Sequence, residues 1–435
     1  MKKRTPTDDD IVDAYLSEGS IRKAGQALGI SKDKVWRTIQ RLNVPQPATE
    51  TYAGRSSITL EGKGVESLED MMHAAGIDPE EWIVVRQRRN SWQALGKDSE
   101  IMQLHQVTAT LERKPDFFIQ PVEPVAALPR QPRENPSDIR CALIIPDIQA
   151  GFRRVENNRR PGGYDWLPLH DRRAMSCVLQ IAEKLNDRID TCVYLGDNLD
   201  LAPWSTRWTS DPSLKFTTNA ALRELYAGFM VPLREILPHS YQCYVAGNHE
   251  KRIEDALASK LTEAHSLRTA DTVDGGSLLS IPNLLALDSI DVDYIEPYGA
   301  IYWLYDKIRI QHGSIARRHA GATAAEYLKT ATSSMIWGHT HRLEMGQKRL
   351  QTPDGIETIT AASPGCLCRS EIGVVPGVLG NPPDWQTGCA LVYEHDGRHS
   401  IQLIPIVDGV AMVEGEVIVG RDLPEEWSER TGLPF

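Results

Sequence analysis

The sequence predicts an α/β protein of several folded units: a small all-α unit first, a small α+β unit next, and a large α/β domain last. Three observations carry that expectation. The chain has 435 residues, more than one ordinary core at about 150 residues per domain. Helical periodicity fills the first 42 residues, and two strand-length runs around a Gly-Lys-Asp turn follow. From Arg140 onward, apolar runs of strand length recur and end in polar side chains of one chemical type. The composition, 41% hydrophobic and 25% charged, is that of a globular protein. It excludes collagen-like and wholly disordered chains.

The first unit, residues 1–46, reads as three short helices. Asp8–Glu18 places Ile11, Val12 and Tyr15 on one face, Ser20 caps a helix running to Leu28, and Ser31 caps Lys32–Leu42 with Val35, Ile39 and Leu42 turned inward. SIRKAGQALGISKDKVWRTIQRL resembles the helix-turn-helix family over about twenty residues, with Gly25 where two helices cross and Gly29 in the turn. That resemblance implies DNA binding through the outer face of the third helix, expected to offer Lys32, Lys34, Arg37, Thr38, Gln40 and Arg41 to phosphates and base edges. The alternative is a small helical bundle for protein contact or self-association.

Residues 46–65, rich in Pro, Thr, Ser and Gly, read as a tether. A small α+β unit over 66–114 follows, with a helix in ESLEDMMHAAGI and two strands flanking Gly96-Lys97-Asp98 as a hairpin. Arg86, Arg88 and Arg89 beside Trp82 and Trp92 suit either a nucleic-acid surface or a solvated hairpin with a tryptophan core. Six prolines across 115–139 predict an extended, semi-rigid linker. The large domain is expected over 140–410, with 411–435 as a tail.

The chemistry lies in that domain. CALIIPDIQ carries Asp147, TCVYLGDNLD carries Asp197 and Asp200, YQCYVAGNHE ends at Asn248, His249 and Glu250, RIQHG carries His312, and MIWGHTH carries His339 and His341. A single buried Asp or His after a strand is ordinarily a satisfied core residue. Five strand ends bearing metal-binding side chains predict one site at one edge of a sheet.

These motifs, PDIQ, GDNLD, GNHE, QHG and GHTH, followed by SPGCL, resemble the calcineurin-like metallophosphoesterase superfamily over roughly residues 140–406. The resemblance implies an αββα sandwich, two sheets flanked by helices, with a dinuclear metal centre on loops at one edge. It implies that Asp147, Asp197 and His341 hold one ion, and that Asp197, Asn248, His312 and His339 hold the other. It also implies that His249 protonates a leaving oxygen or stabilises phosphoryl charge, with Asp200 orienting it. Two divalent ions activate water and neutralise phosphate oxygens. Manganese is the expected metal, with iron, zinc or magnesium as alternatives.

Gln149 departs from the pattern, because the superfamily usually carries His there; an amide oxygen is a weaker neutral ligand than imidazole. His170 is a possible substitute, weighed against an ordinary histidine on the surface at a helix start. Arg153 and Arg154, close behind Asp147, and Arg317 and Arg318, just after QHG, are candidate phosphate contacts. Arg159 and Arg160 extend the first pair, and Trp204 and Trp208 suit either base stacking or packing.

The absence of Asp-Arg-Gly after GDNLD weakens a protein-phosphatase reading, while Asp200 is compatible with the nuclease-like branch. Joined to a DNA-binding unit, such a site predicts a metal-dependent phosphodiesterase that cleaves DNA. The alternatives are a phosphomonoesterase or small-nucleotide phosphodiesterase located by its helix-turn-helix, and an inactive DNA-binding scaffold.

Charge and cysteines set the remaining bounds. The net charge of −11 argues against nonspecific coating of nucleic acid, yet residues 1–50 carry +2 and the chain after residue 140 carries −10. Seven cysteines, none before Cys141, read as reduced thiols; Cys366-x-Cys368 lacks the second pair of a structural zinc site. No apolar run is long enough for a membrane span, and a cytoplasmic protein without membrane partners is expected. The oligomeric state is left open.

Overall fold

The computed structural model describes residues 6–18, 21–41, 51–52, 57–63, 67–75, 77–78, 82–95, 101–113, 126–133, 137–157, 164–207, 211–268, 276–353, 355–371, 383–422, 427–428, 431 and 433. The chain divides into two compact units: residues 1–117 with 157–163, and residues 118–156 with 164–435.

In the first unit, helices Asp8–Glu18, Ile21–Leu28 and Lys32–Arg41 enclose a small core of Ile11, Tyr15, Ala24, Val35 and Ile39. A Cβ on Gly25 would stand 3.0 Å from the Ile30 carbonyl, so the turn between the second and third helices closes on a bare backbone. The same unit holds a four-stranded antiparallel sheet. Its hairpin partners Trp82–Leu95 and Ile101–Arg113 pair antiparallel with a register shift between Val84 and Arg86, and helix Leu68–Ala74 covers Val107, Ala109 and Leu111 through Met71 and Met72. Ser67 caps that helix. The expected tether is partly structured: Ser57–Lys63 is a strand beside Ile101–Arg113. Its alternating Ile58 and Leu60 gave a strand signal that the surrounding turn-forming residues masked.

The second unit is layered. A six-stranded sheet contains Arg140–Ile145, Ile189–Tyr194, Tyr241–Val245, Val292–Ile295, Gly388–His395 and Arg398–Pro405. A five-stranded sheet contains Tyr302–Leu304, Ile308–Gln311, Ser334–Trp337, Leu343–Thr352 and Gly355–Pro364. Both sheets mix parallel and antiparallel pairs. One core, with Ile144, Val193, Val245, Ile310 and Ile336, lies between their inner faces. Strand alternation sends the neighbouring residues outward. Leu143, Cys192 and Tyr244 therefore pack under helices such as Arg172–Lys184, and Met335 and Trp337 pack under helix Ala322–Thr330. The result is a helix, sheet, sheet, helix stack.

Two terminal expectations need correction. Residues 126–133 of the expected linker run along the second unit: Leu128 N–H donates to the Ser289 carbonyl at 2.7 Å and Gln131 N–H to the Pro238 carbonyl at 2.8 Å. Between the prolines, Arg130 N–H also finds a partner on the body, the Asp291 carboxylate at 2.9 Å. The expected tail forms a hairpin, Val410–Val413 with Glu416–Val419, and Trp427 and Leu433 are buried farther on. Among the described residues, no helix is long and apolar enough to cross a membrane.

Candidate metal centre

The strand ends converge as their sequence predicts. Asp147 follows the strand Arg140–Ile145, and Asp197 follows its parallel neighbour Ile189–Tyr194. Asn248 and His249 follow Tyr241–Val245, His312 ends Ile308–Gln311, and His339 and His341 follow Ser334–Trp337. Parallel strands end on one side of a sheet, so each contributes its loop to the same edge.

The loops are strained into that arrangement. Asp147, Gln149, Asp197, His339 and His341 all have positive φ, between 34° and 70°. L-residues adopt this region at a cost, and such outliers gather at functional sites. Two motif glycines make the closeness possible. A Cβ on Gly338 would stand 2.5 Å from Asp147 Oδ2, and one on Gly247 would stand 2.3 Å from Asp197 N and Oδ1.

The ligand atoms face one another. His341 Nε2 lies 3.2 Å from Asp147 Oδ1 and 3.1 Å from the Gln149 side-chain amide. Ligands at right angles on one ion stand about 3 Å apart, and rotating the amide presents Gln149 Oε1 instead of its nitrogen. On the other side, His312 Nε2 lies 3.1 Å from Asp197 Oδ2. Asp197, His312 and His339 gather their donor atoms within 4.8 Å. Asn248 Oδ1 is buried with no hydrogen-bond partner among the described residues. A buried polar atom left unpaired is costly. The donor set of carboxylate, amide and imidazole therefore fits divalent ions at both positions.

Electrostatics agree with this fit. Burial alone would raise Asp197, but the charges of His249 and His312 outweigh it and hold the carboxyl well below its usual range. Burial would lower His312, but Asp197 and Asp147 push it up to about 10. Burial lowers His339, and the neighbouring His312 lowers it further. His341 is raised despite burial, chiefly by its hydrogen bond to Asp147.

Glu250, at the end of the GNHE motif, is a buttress. Its Oε2 accepts Asp197 N–H and Gly247 N–H at 2.9 Å each, while Oε1 accepts Tyr244 Oη–H at 2.6 Å and Leu199 N–H at 3.2 Å. These bonds tie the loops bearing Asp197 and Asn248 together.

His249 reaches the same site, with Nε2 3.6 Å from Asp197 Oδ2. Asp200 is less engaged than expected. Its Oδ1 is 3.9 Å from His249 Nδ1, beyond hydrogen-bond reach, and Nδ1 has no hydrogen-bond partner. Asp200 instead accepts Ala202 N–H at 3.0 Å. His249 lies below its ordinary value: burial lowers it most, and Arg252 adds to that against the opposing pull of Asp197 and Asp200.

A pocket of about 430 Å³ opens on Asn248 and His339, and its cations are Arg207, Lys251 and Arg252. Sequence reasoning passed over all three, although Lys251 and Arg252 follow GNHE directly. The cations it chose lie elsewhere. Arg153 bonds Ser213 Oγ at 3.2 Å, and Arg154 bonds the Pro212 carbonyl at 3.0 Å and stacks on Tyr164. Arg317 pairs with Glu326 at 3.2 Å, and Arg318 is exposed and absent from the pocket lining. Arg159, Arg160 and Trp208 lie outside the described residues. Trp204 packs against the large core with Nε1 bonded to Thr218 Oγ1 at 2.9 Å.

His170 is neither a ligand nor on the surface. It is fully buried, with Gly151 N–H donating to Nδ1 at 3.3 Å and Nε2–H donating to Glu224 at 2.9 Å. Both ring nitrogens are occupied, which removes it as a substitute for Gln149.

In the first unit, the candidate DNA-contacting helix exposes Lys32, Arg37 and Arg41, with Lys34 half-buried. Thr38 is buried, a correction that its spacing explains: three residues after Val35 and beside Ile39, it belongs to the inner face. Trp36, 51% exposed, stands on the outer face instead. Arg41 is paired with Asp8. The Gln40 side chain lies outside the described residues. Arg86, Arg88 and Arg89 are exposed on their strand, and Trp82 packs against the sheet core; the Trp92 side chain lies outside the described residues.

No protein-family model matches the chain. The Gene 54 protein of Mycobacterium phage L5 is 26% identical over 256 residues, covering 58% of this chain and 94% of that protein. The Gene 54 protein of Mycobacterium phage D29 is 24% identical over 255 residues, with the same two coverages. Among solved structures, vacuolar protein sorting 29 from Cryptosporidium parvum aligns with 65% of this chain and 96% of its own, at 13% identity and a TM-score of 0.26.

Proposed function

We propose that this protein is a metal-dependent phosphodiesterase of the calcineurin-like metallophosphoesterase type that hydrolyses DNA phosphodiester bonds. The observation that carries the reading is the convergence of Asp147, Gln149, Asp197, Asn248, His312, His339 and His341 into one buried cluster. Its Asn248 Oδ1 lacks any hydrogen-bond partner among the described residues. Asp147, Gln149 and His341 would hold one ion, and Asn248, His312 and His339 the other, with Asp197 shared between them. When bound, the ions supply an activated water and charge neutralisation for the phosphoryl group; manganese suits the oxygen-rich set, with iron, zinc or magnesium possible.

The chain's own residues supply binding and proton movement. Arg207, Lys251 and Arg252 line the pocket and attract a phosphate anion. Arg252, whose guanidinium contacts His249 Nε2 at 2.7 Å, is drawn from the imidazole by that anion. His249 then faces the substrate, and its imidazolium form, protonated at Nε2 once the guanidinium has left, supplies charge stabilisation or that proton to the departing oxygen. Trp204, Leu199 and the buried loop bonds of Glu250 hold the surrounding backbone in place.

DNA as the substrate is supported by the basic, tryptophan-bearing outer face of Lys32–Arg41, a unit suited to raising local substrate concentration. A small-nucleotide phosphodiesterase is the second reading, favoured by the pocket volume of about 430 Å³, within the range of small-molecule sites.

The test is to strip metal, restore manganese, magnesium or zinc, and assay single- and double-stranded DNA, a chromogenic phosphodiester and a phosphomonoester. Metal-dependent DNA cleavage that falls about 10²- to 10⁴-fold in His249→Ala is the expected result. Preference for the monoester, or for small nucleotides over DNA, supports the second reading. Metal binding with no cleavage of any substrate leaves the scaffold alternative.

A further inference from the structure

The ring of His341 is engaged on both nitrogens and on one face. Nε2 faces Asp147 and Gln149, at 3.2 Å and 3.1 Å, and the indole of Trp385 meets the ring edge to face, with centroids 4.3 Å apart. The opposite nitrogen, Nδ1, lies 3.6 Å from Cys368 Sγ. Cys366 stands beside it, and the donor atoms of His341, Cys366 and Cys368 fall within 4.8 Å of one another. All three residues are at most 5% exposed.

A histidine that binds metal through one nitrogen ordinarily donates the other N–H to a carboxylate, a backbone carbonyl or water, which fixes the tautomer and strengthens the ligand. Here the partner is sulfur. The two sides of an imidazole point in different directions, so a sulfur placed on Nδ1 does not reach an ion held by Nε2. The loop itself holds the sulfur in place. Leu367 N–H donates to the Asp147 carbonyl at 3.1 Å, Cys366 N–H to the Gln386 carbonyl at 3.1 Å, and Gln386 N–H to the His341 carbonyl at 2.8 Å. The chain thereby links the weakest ligand position, Gln149, to a histidine whose other side rests on a buried thiol pair.

We propose that Cys368, with Cys366 packed behind it, is a positioning residue for His341 and sets the metal affinity of the Asp147–Gln149–His341 position. The proposal rests on the metal-centre reading above. The sulfur accepts the Nδ1–H hydrogen bond, holds Nε2 deprotonated toward Asp147, and offsets what the amide of Gln149 lacks as a ligand. It predicts that one of the two metal positions depends on the thiol and the other does not.

The experiment is a cobalt(II) titration of the full chain against a competing chelator, with absorbance spectra recorded throughout. Wild type, Cys368→Ala, Cys368→Ser and Cys177→Ala are compared, and thermal melting checks that each variant folds. In wild type, two ions bind without the intense near-ultraviolet band of sulfur-to-cobalt charge transfer. In Cys368→Ala one ion binds about 10- to 100-fold more weakly while the other is unchanged. Cys368→Ser, which keeps an acceptor, recovers most of that loss, and Cys177→Ala, a buried thiol far along the chain, changes neither. Unchanged affinity in both Cys368 variants overturns the proposal while leaving the metal centre intact. A charge-transfer band in wild type that vanishes in Cys368→Ser also overturns it, because the sulfur is then itself a ligand. A wild-type chain that binds no cobalt overturns the metal-centre reading, and this inference with it.

Discussion

His249 has neighbours that pull its titration in opposite directions, and one of them is a cation the sequence reading did not single out. Arg252 Nη2 lies 2.7 Å from His249 Nε2, and Nη1 donates to the Asp200 carbonyl at 2.6 Å. A guanidinium has donors only, so Nε2 accepts and a ring proton resides on Nδ1. Replacing Arg252 by alanine removes the proposed phosphate contact, worth about 1.5–3 kcal/mol, so kcat/KM is expected to fall about 10- to 100-fold. It also removes one of the influences that lower His249. The limb on which activity falls as His249 loses its proton therefore moves to higher pH, which pH–rate profiles of both proteins would reveal. Gln149 offers a reciprocal test. Gln149→His supplies imidazole nitrogen opposite His341 Nε2, and chelator competition is expected to show tighter binding of one ion with the other unaffected.

Many helices and strands were legible from short-range periodicity, Ser57–Lys63 excepted, and strand ends carried the candidate ligands in readable order. Partners far along the chain were not. His170 illustrates this at the start of helix Arg172–Lys184: its partner, Glu224, is contributed by helix Thr218–Leu225, and no local pattern announces the pair. Glu224 also accepts from Arg172 Nε at 2.6 Å and Nη2 at 3.2 Å, all within the buried interior. Burial would raise Glu224, but the hydrogen bond from His170, with the charge and hydrogen bonds of Arg172, outweighs it and holds its carboxyl below the ordinary 4.5. A depressed carboxylate stabilises the fold above its unfolded value and loses that contribution as pH falls through its folded one. Wild-type stability is accordingly expected to decline below pH 4.5 through this group. Glu224→Gln removes the buried carboxylate that accepts from Arg172 and costs about 1.5–3 kcal/mol at neutral pH. Denaturant melts of both proteins at neutral and acidic pH measure this; a variant as stable as wild type at neutral pH would contradict it.

At the scale of the whole chain, charge is unevenly spread, with +2 over residues 1–50 and −10 after residue 140. An acidic body repels DNA at long range, so the DNA reading assigns affinity to the basic N-terminal helices and chemistry to the metal centre. The outer face of Lys32–Arg41 gives that assignment a residue-level contrast which the sequence alone misread. Its alternation of exposed and buried residues sets Arg37 and Trp36 outside and Thr38 inside. Arg37→Ala is expected to weaken DNA binding across sequences and to reduce the slope of log affinity against log salt by about 1, the signature of one lost phosphate contact. Thr38→Ala is expected to lower the melting temperature of the first unit and leave the salt slope unchanged, because a buried side chain releases no counterions. Deleting residues 1–50 should abolish most salt-dependent binding yet leave metal-dependent hydrolysis of a small chromogenic phosphodiester intact, since every candidate ligand lies in the second unit. Undiminished DNA affinity after that deletion would move the nucleic-acid surface to the exposed arginines of Trp82–Leu95 or to the pocket cations themselves. Titrations of the deletion variant across several salt concentrations separate these outcomes, because binding and catalysis are then read on different parts of the chain.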